Sequence, residues 1–155
     1  MQKYTFFPSR KSHVILNLSF LTKIITGSVQ NHPLMENTTL LKYFLSVLIF
    51  ASTAEELLFR GFLQNYLRPL TDKGFNLFRR RISLPVLISA LTFSSAHLIL
   101  LTAGVGTLFV IRMLIFAFIL GLIAGYYQEK HDNNIFAILV HMAGNLTGLI
   151  TVAIM

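Results

Sequence analysis

Long apolar stretches separated by short polar loops make up most of the chain after residue 39. Four of them are long enough to cross a hydrocarbon core of ~30 Å as helices, and they run from Leu40 to Leu63, Ile82 to Ala103, Thr107 to Tyr127 and Asn134 to Met155. A weaker stretch from Val14 to Val29 contains polar residues and is interpreted as a partial, interfacial or first span. The pattern predicts an all-α fold, a polytopic transmembrane bundle of four to five helices.

The same pattern divides the chain into two parts. Residues 1–39 form an amino-terminal segment that includes the weaker apolar stretch, and residues 40–155 form the helical membrane core. We find no internal repeat, low-complexity tract or second soluble domain in the sequence.

Composition narrows the class of protein further. Hydrophobic residues make up 54% of the chain and charged residues only 12%, with a mean hydropathy of +0.67, which excludes a soluble domain of this size. The absence of cysteine excludes disulfides, thiolate nucleophiles and cysteine-bound zinc. The formal charge of +7 is interpreted as basic residues that orient the protein in the membrane and contact anionic lipids. The expected partner is therefore the lipid bilayer and not nucleic acid.

The basic residues predict an orientation. If the amino-terminal segment crosses once, only Lys42 falls on one side of the membrane. The residues on the other side are Lys3, Arg10, Lys11, Arg68, Lys73, Arg79, Arg80, Arg81 and Lys130. Cytoplasmic loops retain Lys and Arg, so the amino terminus and the first and third loops of the core are expected in the cytoplasm.

Three ionisable residues interrupt the first predicted span. Each such group costs roughly 2.5–3.5 kcal/mol at bilayer depth, which makes Glu55, Glu56 and Arg60 candidates for function. Residues four apart share a helical face, so Glu56 is expected to pair with Arg60, whereas Glu55 is rotated about 100° away. We therefore predict that Glu55 faces a cavity. A structural ion network that only locks the bundle is the alternative interpretation.

Two further polar pairs have the same four-residue spacing. Phe93 and His97 lie on the second predicted span, and His141 and Asn145 lie on the fourth. Each pair projects from one face of its helix and can converge on a common point.

These residues are sufficient for peptide hydrolysis. Glu55 near an imidazole can activate water as a general base. His141 and Asn145 can stabilise the oxyanion that forms when water attacks a carbonyl. A zinc ion held by Glu55, His97 and His141 is a second arrangement, which the residues alone leave open.

The ordered motifs EExxxR, FxxxH and HxxxN resemble the CPBP family of intramembrane proteases, which includes CAAX prenyl proteases and Abi-type proteins of bacteriocin processing and self-immunity. The matching residues are Glu55, Glu56, Arg60, Phe93, His97, His141 and Asn145. The resemblance implies that Glu55 and His97 activate water. It implies that His141 and Asn145 form the oxyanion hole, with Glu56, Arg60 and Phe93 in support. No cofactor is favoured, and zinc is the alternative.

The resemblance implies an intramembrane endopeptidase that cleaves a membrane-associated peptide or protein, in a bacterial cell membrane. A non-catalytic immunity or scaffold protein of the same fold is the main alternative, and a proton-coupled transporter explains the histidine pairs less well. The fuller family pattern has additional spans before the first motif, so a further membrane subunit or an oligomer is an expected partner.

Overall fold

A computed structural model describes residues 39–154 of the chain. Four helices account for most of this part. Helix α1 covers residues 40–64, in which α-helical segments Leu40–Tyr43 and Ser52–Glu56 alternate with π-helical segments Phe44–Ala51 and Leu57–Gln64. Helix α2 is Leu84–Ala96 with a 3₁₀ extension His97–Leu101, helix α3 is Thr107–His131 and helix α4 is Asn134–Ile154. A 3₁₀ turn, Arg68–Leu70, and two strands, β1 Gly74–Leu77 and β2 Arg80–Ser83, lie between α1 and α2.

The four core helices are confirmed, with changed ends. The second begins at Leu84 rather than Ile82, because the preceding residues belong to β2 and the Ser83 hydroxyl accepts from the Val86 amide as an N-cap. The third continues to His131 and ends at Asp132 in the left-handed conformation. The predicted segment Val14 to Val29 and the division at residue 39 lie outside, or at the edge of, the described residues.

The structure is mostly helical, as predicted, but the loop between α1 and α2 contains an antiparallel hairpin of β1 and β2 that the sequence analysis did not predict. Gly74 permits this pairing, since a Cβ there would collide with the carbonyl oxygen of Ile82 on β2. Phe78 and Arg79 form the two-residue turn with φ values of 45° and 64°. Type I′ turns require positive φ at both positions and favour Asn-Gly. Side chains as large as these cost roughly 1 kcal/mol or more each in that conformation.

Two of the described helical stretches, Leu84–Leu101 and Thr107–His131, are long and apolar enough to cross a membrane. A shorter apolar stretch, Asn134–Thr147, covers the part of α4 whose side chains are described. Helix α1 differs from these because Glu55, Glu56 and Arg60 lie within it.

Side-chain hydrogen bonds join neighbouring helices, as is common where the surrounding medium offers little hydrophobic driving force between helices. Ser89 of α2 donates to the Phe59 carbonyl of α1 at 2.8 Å, and Ser94 donates to the Leu114 carbonyl of α3 at 2.7 Å. Gln64 of α1 donates to the Gly125 carbonyl of α3 at 3.0 Å. These bonds fix the relative depth of α1, α2 and α3.

Two glycines of α3 accommodate polar side chains of α1. A Cβ at Gly121 would lie 2.9 Å from Nη2 of Arg60, and one at Gly125 would lie 2.8 Å from Oε1 of Gln64. The pair spaced four residues apart in the sequence therefore makes room for a buried polar stripe, and not only for a neighbouring backbone.

Candidate active site

A buried ion cluster occupies the centre of the bundle. Arg60 Nη1 lies 3.0 Å from Oε1 of Glu56, and both side chains are fully buried, which confirms the predicted pair. His141 Nδ1 lies 2.7 Å from the same carboxylate oxygen. A carboxylate oxygen only accepts, so Nδ1 carries the proton in this bond. Glu56 therefore bridges α1 and α4, a contact that the sequence did not indicate.

Glu55 has a different environment from its neighbour. Its side chain is 38% exposed, and its Oε2 lies 3.7 Å from Nε2 of His141. The two adjacent carboxylates thus approach opposite nitrogens of one imidazole, Glu56 from the buried side and Glu55 from the more open side. The division predicted from a rotation of about 100° along the helix agrees with this geometry.

The winding of α1 explains how its polar side chains line up. Four buried polar residues recur at intervals of four, and they are Ser52, Glu56, Arg60 and Gln64. In an α-helix with 3.6 residues per turn, positions four apart drift around the axis. The wider π-helical turns in α1 reduce that drift, so the stripe stays on one side of the helix.

Phe93 connects the two histidines. Its ring makes edge-on contacts with the His97 ring, at 5.1 Å between centroids, and with the His141 ring, at 5.3 Å. The Arg60 guanidinium carbon lies 4.5 Å from the centroid of the same ring. The aromatic residue of the FxxxH motif is therefore the central packing element between α1, α2 and α4.

His97 lies where α2 changes from α-helical to 3₁₀ winding. Its Nδ1 lies 3.0 Å from the Phe93 carbonyl oxygen, which can only accept. Nδ1 therefore carries the proton in the neutral ring, and Nε2 has the free lone pair. Among residues 39–154, no hydrogen bond or ion pair joins His97 to Glu55. The two are connected indirectly, because the Phe93 ring contacts both histidine rings and Glu55 lies beside the ring of His141.

Asn145 is held by a residue that sequence reasoning missed. Its Nδ2 donates to Oγ of Ser52 at 2.9 Å, and that hydroxyl donates to the Val47 carbonyl at 3.2 Å. Because the hydroxyl proton is used on Val47, Ser52 presents a lone pair to Asn145, which fixes the nitrogen end of the amide on this side. Its position four residues before Glu56 was the signal available in the sequence.

A second buried polar group, also missed, lies one turn beyond the ion cluster. Gln64 donates to Oε1 of Gln128 at 2.8 Å, and Gln128 donates to Oδ1 of Asn65 at 3.1 Å. Asn134, at the start of α4, donates to the Glu56 carbonyl at 3.2 Å. These bonds hold α1 against α3 and α4 and keep the ion cluster at a fixed depth.

Zinc held by Glu55, His97 and His141 is the second arrangement that these residues suggest. In the neutral form, each imidazole donates through Nδ1 and leaves Nε2 with a lone pair, which is the usual orientation of a metal-bound histidine. However, the described residues contain no group of three or more histidine, aspartate or glutamate side chains placed to hold one ion. The zinc arrangement of Glu55, His97 and His141 stays an untested prediction.

Comparison with known proteins identifies the family. A family model described as type II CAAX prenyl endopeptidase Rce1-like matches residues 37–147, which span every motif residue discussed above. Neither the curated proteins nor the solved structures gave a significant match. The matched region and the apolar helices together show a membrane protein, and the chain belongs to the Rce1-like family of CAAX-protease-type endopeptidases.

Proposed function

We propose that this protein is an intramembrane endopeptidase in which Glu55 activates water for attack on a peptide carbonyl. The observation that carries the proposal is the separation of two adjacent carboxylates, one buried and paired with Arg60 and the other 38% exposed beside His141. A purely structural network would need only the buried pair. The partly exposed carboxylate has the access to water that a general base requires.

In the proposed reaction, Glu55 takes one proton from water while the oxygen forms a bond to the carbonyl carbon. His97 supports the water by accepting a hydrogen bond at Nε2, the nitrogen left with a lone pair by the Phe93 contact. When the tetrahedral intermediate collapses, the carbon–nitrogen bond breaks and Glu55 returns the proton to the leaving amine. Proton transfer by a positioned side chain contributes ~10²–10⁴-fold in rate.

The oxyanion is assigned to Asn145 and His141. One N–H of the Asn145 amide is bonded to Ser52, and the second is the proposed donor to the oxyanion. His141 donates at Nε2 when the ring carries both protons, a charge that Glu56 at 2.7 Å and Glu55 at 3.7 Å balance. Each donor of this kind is worth roughly 10²–10³-fold in turnover.

Peptide mass spectrometry of membranes tests the proposal directly. Membranes that contain the native protein are compared with membranes that contain the Glu55→Gln variant at the same protein level. We expect a set of cleavage products that depends on Glu55 and that identifies the substrate. Identical peptide sets from both membranes would contradict the proposal.

We further propose that all four core helices cross the membrane, with the β-hairpin loop in the cytoplasm. The hairpin and the α3–α4 connection lie at the same end of the bundle, since Arg68 lies 3.3 Å from Asp132. This end carries most of the basic residues of the core.

Cysteine labelling tests this topology, and the cysteine-free chain makes it simple. A cysteine at Thr71 is expected to react only with reagent on the cytoplasmic side. A cysteine at Gly104, in the turn before α3, is expected to react only from outside. Labelling of both positions from one side would overturn the helix count.

Ser52 gives a prediction about the oxyanion hole. Ser52→Ala is expected to lower kcat by about tenfold with KM nearly unchanged, because it releases the amide that it orients. Asn145→Ala is expected to lower kcat by about 10²-fold. In the Asn145→Ala background, Ser52→Ala should have no further effect on kcat, because its partner is already gone.

Ser89→Ala is the matched control for Ser52→Ala. It removes another buried serine hydroxyl, which bonds the Phe59 carbonyl rather than a proposed site residue. We expect reduced stability and an unchanged kcat. Additive effects of Ser52→Ala and Asn145→Ala would show that Ser52 does not act through Asn145.

A further inference from the structure

The tip of the β-hairpin exposes an aromatic ring beside a basic residue. Phe78 is 92% exposed, and Arg79 follows it in the turn. Both have positive φ, a conformation that favours asparagine and glycine over such large side chains. Strained backbone that presents specific side chains is a reason to ask what those side chains bind.

The other two arginines of the hairpin, Arg80 and Arg81, are already occupied. Arg81 donates to the backbone carbonyls of Thr71 and Asp72. Arg80 donates to the Tyr126 hydroxyl at 3.1 Å, and its guanidinium lies 5.9 Å from the centre of that ring.

Arg79 differs from these two arginines. Within residues 39–154, Arg79 makes no hydrogen bond, ion pair or ring contact. Its guanidinium is therefore available to a partner outside the described part of the chain.

The surroundings of the hairpin favour a lipid surface. Residues 65–83 contain five basic side chains and one acidic side chain. Two exposed aromatic rings lie where α1 leads into this loop, Phe62 within the helix and Tyr66 just after it. Their stacked rings have centroids 6.4 Å apart, and the residues are 66% and 75% exposed. Aromatic rings beside basic groups are typical of the boundary between hydrocarbon and headgroups.

We propose that the hairpin tip inserts into this boundary and binds anionic phospholipid. The Phe78 ring enters the acyl boundary, and the Arg79 guanidinium binds a headgroup phosphate through paired N–H donors. The hairpin thus anchors the loop between α1 and α2 to the membrane surface. The proposal does not depend on the chemistry assigned to the ion cluster.

The chain contains no tryptophan, so one substitution provides a unique fluorescent reporter. Phe78→Trp is reconstituted into vesicles of phosphatidylglycerol and phosphatidylcholine in which either lipid is brominated. We expect quenching of the tryptophan by brominated lipid and protection from acrylamide in the aqueous phase. Asn76→Trp, at an exposed polar position of β1 before the tip, is the control and should show the reverse.

The contribution of Arg79 is measured in the same background. The preference of the tip for a lipid is measured as the ratio of quenching by brominated phosphatidylglycerol to quenching by brominated phosphatidylcholine. Adding Arg79→Gln to Phe78→Trp should reduce this preference about fivefold. Arg81→Gln removes the same charge from a side chain that is tied to loop carbonyls, so it should change this preference by less than twofold.

Several outcomes would overturn the proposal. Acrylamide quenching of Phe78→Trp as strong as that of Asn76→Trp would show that the tip remains in water. Equal effects of Arg79→Gln and Arg81→Gln would show that only net charge matters. Protection of the tryptophan by an added acidic peptide, without lipid quenching, would assign the tip to a peptide partner instead.

Discussion

Replacing Glu55 by glutamine is expected to reduce turnover by 10³-fold or more while leaving the melting temperature in detergent close to that of the native protein. The amide is nearly the same size as the carboxylate but does not accept a proton from water at neutral pH. In residues 39–154 the ion pair of Glu55 is the 3.7 Å contact with His141, and its side chain is partly exposed, so its charge contributes little to folding. Cleavage rates on a substrate peptide and thermal unfolding of the same preparation measure both quantities.

Glu55→Asp provides a second comparison for this position. It keeps the charge and shortens the side chain, so it should retain more turnover than Glu55→Gln if the carboxylate is the base. Full activity in Glu55→Gln would instead show that the carboxylate is not a reactant. A large loss of stability would show that it is part of the structural network.

Replacing Glu56 by glutamine is expected to have its largest effect on stability, a loss of about 3–5 kcal/mol. The substitution leaves the Arg60 guanidinium as a fully buried cation without its carboxylate. It also replaces the carboxylate that orients His141 at 2.7 Å with a neutral amide, which is a weaker acceptor. Denaturation in mixed detergent micelles, with the native protein measured alongside, gives the change in the free energy of unfolding.

A double variant separates the two causes. Arg60→Met removes the cation, and in the Glu56→Gln background it should restore most of the lost stability, because no unpaired buried charge remains. Activity should stay low in the double variant, since His141 still lacks its carboxylate partner. Equal destabilisation by Glu55→Gln and Glu56→Gln would contradict the different roles assigned to these neighbours.

The Glu56–Arg60 pair was predictable because both residues belong to one helix. A spacing of four places two side chains on the same face whether the turn is α-helical or somewhat wider. The more exposed position of Glu55 follows from the same local geometry. The approximate positions of the four core helices were predictable for a related reason, since each helix follows one apolar stretch of the sequence.

Contacts between helices could not be predicted in this way. The bond from His141 to Glu56 depends on how α4 is rotated and how deep it lies against α1, and no periodicity in either segment specifies those quantities. The bond from Asn145 to Ser52 has the same origin. Sequence spacing indicated that His141 and Asn145 share a face, but it did not indicate what that face would meet.

The hairpin shows a second limit of sequence reasoning. Residues 74–83 include three arginines and two phenylalanines. The turn has large side chains in place of the Asn-Gly that normally signals a two-residue hairpin, so the sequence did not indicate one. The close approach of Gly74 to Ile82 is visible only once both strands are in place.

The sequence by itself determined the membrane class, the core helices, the motif residues and the Glu56–Arg60 pair, because each depends on composition or on spacing within one segment. Tertiary structure alone decided that Phe93 contacts both imidazoles, that Glu56 holds His141 and that Ser52 holds Asn145. The physical reason is that helix winding fixes neighbours along a segment, whereas the rotation and depth of packed helices result from all their side chains together.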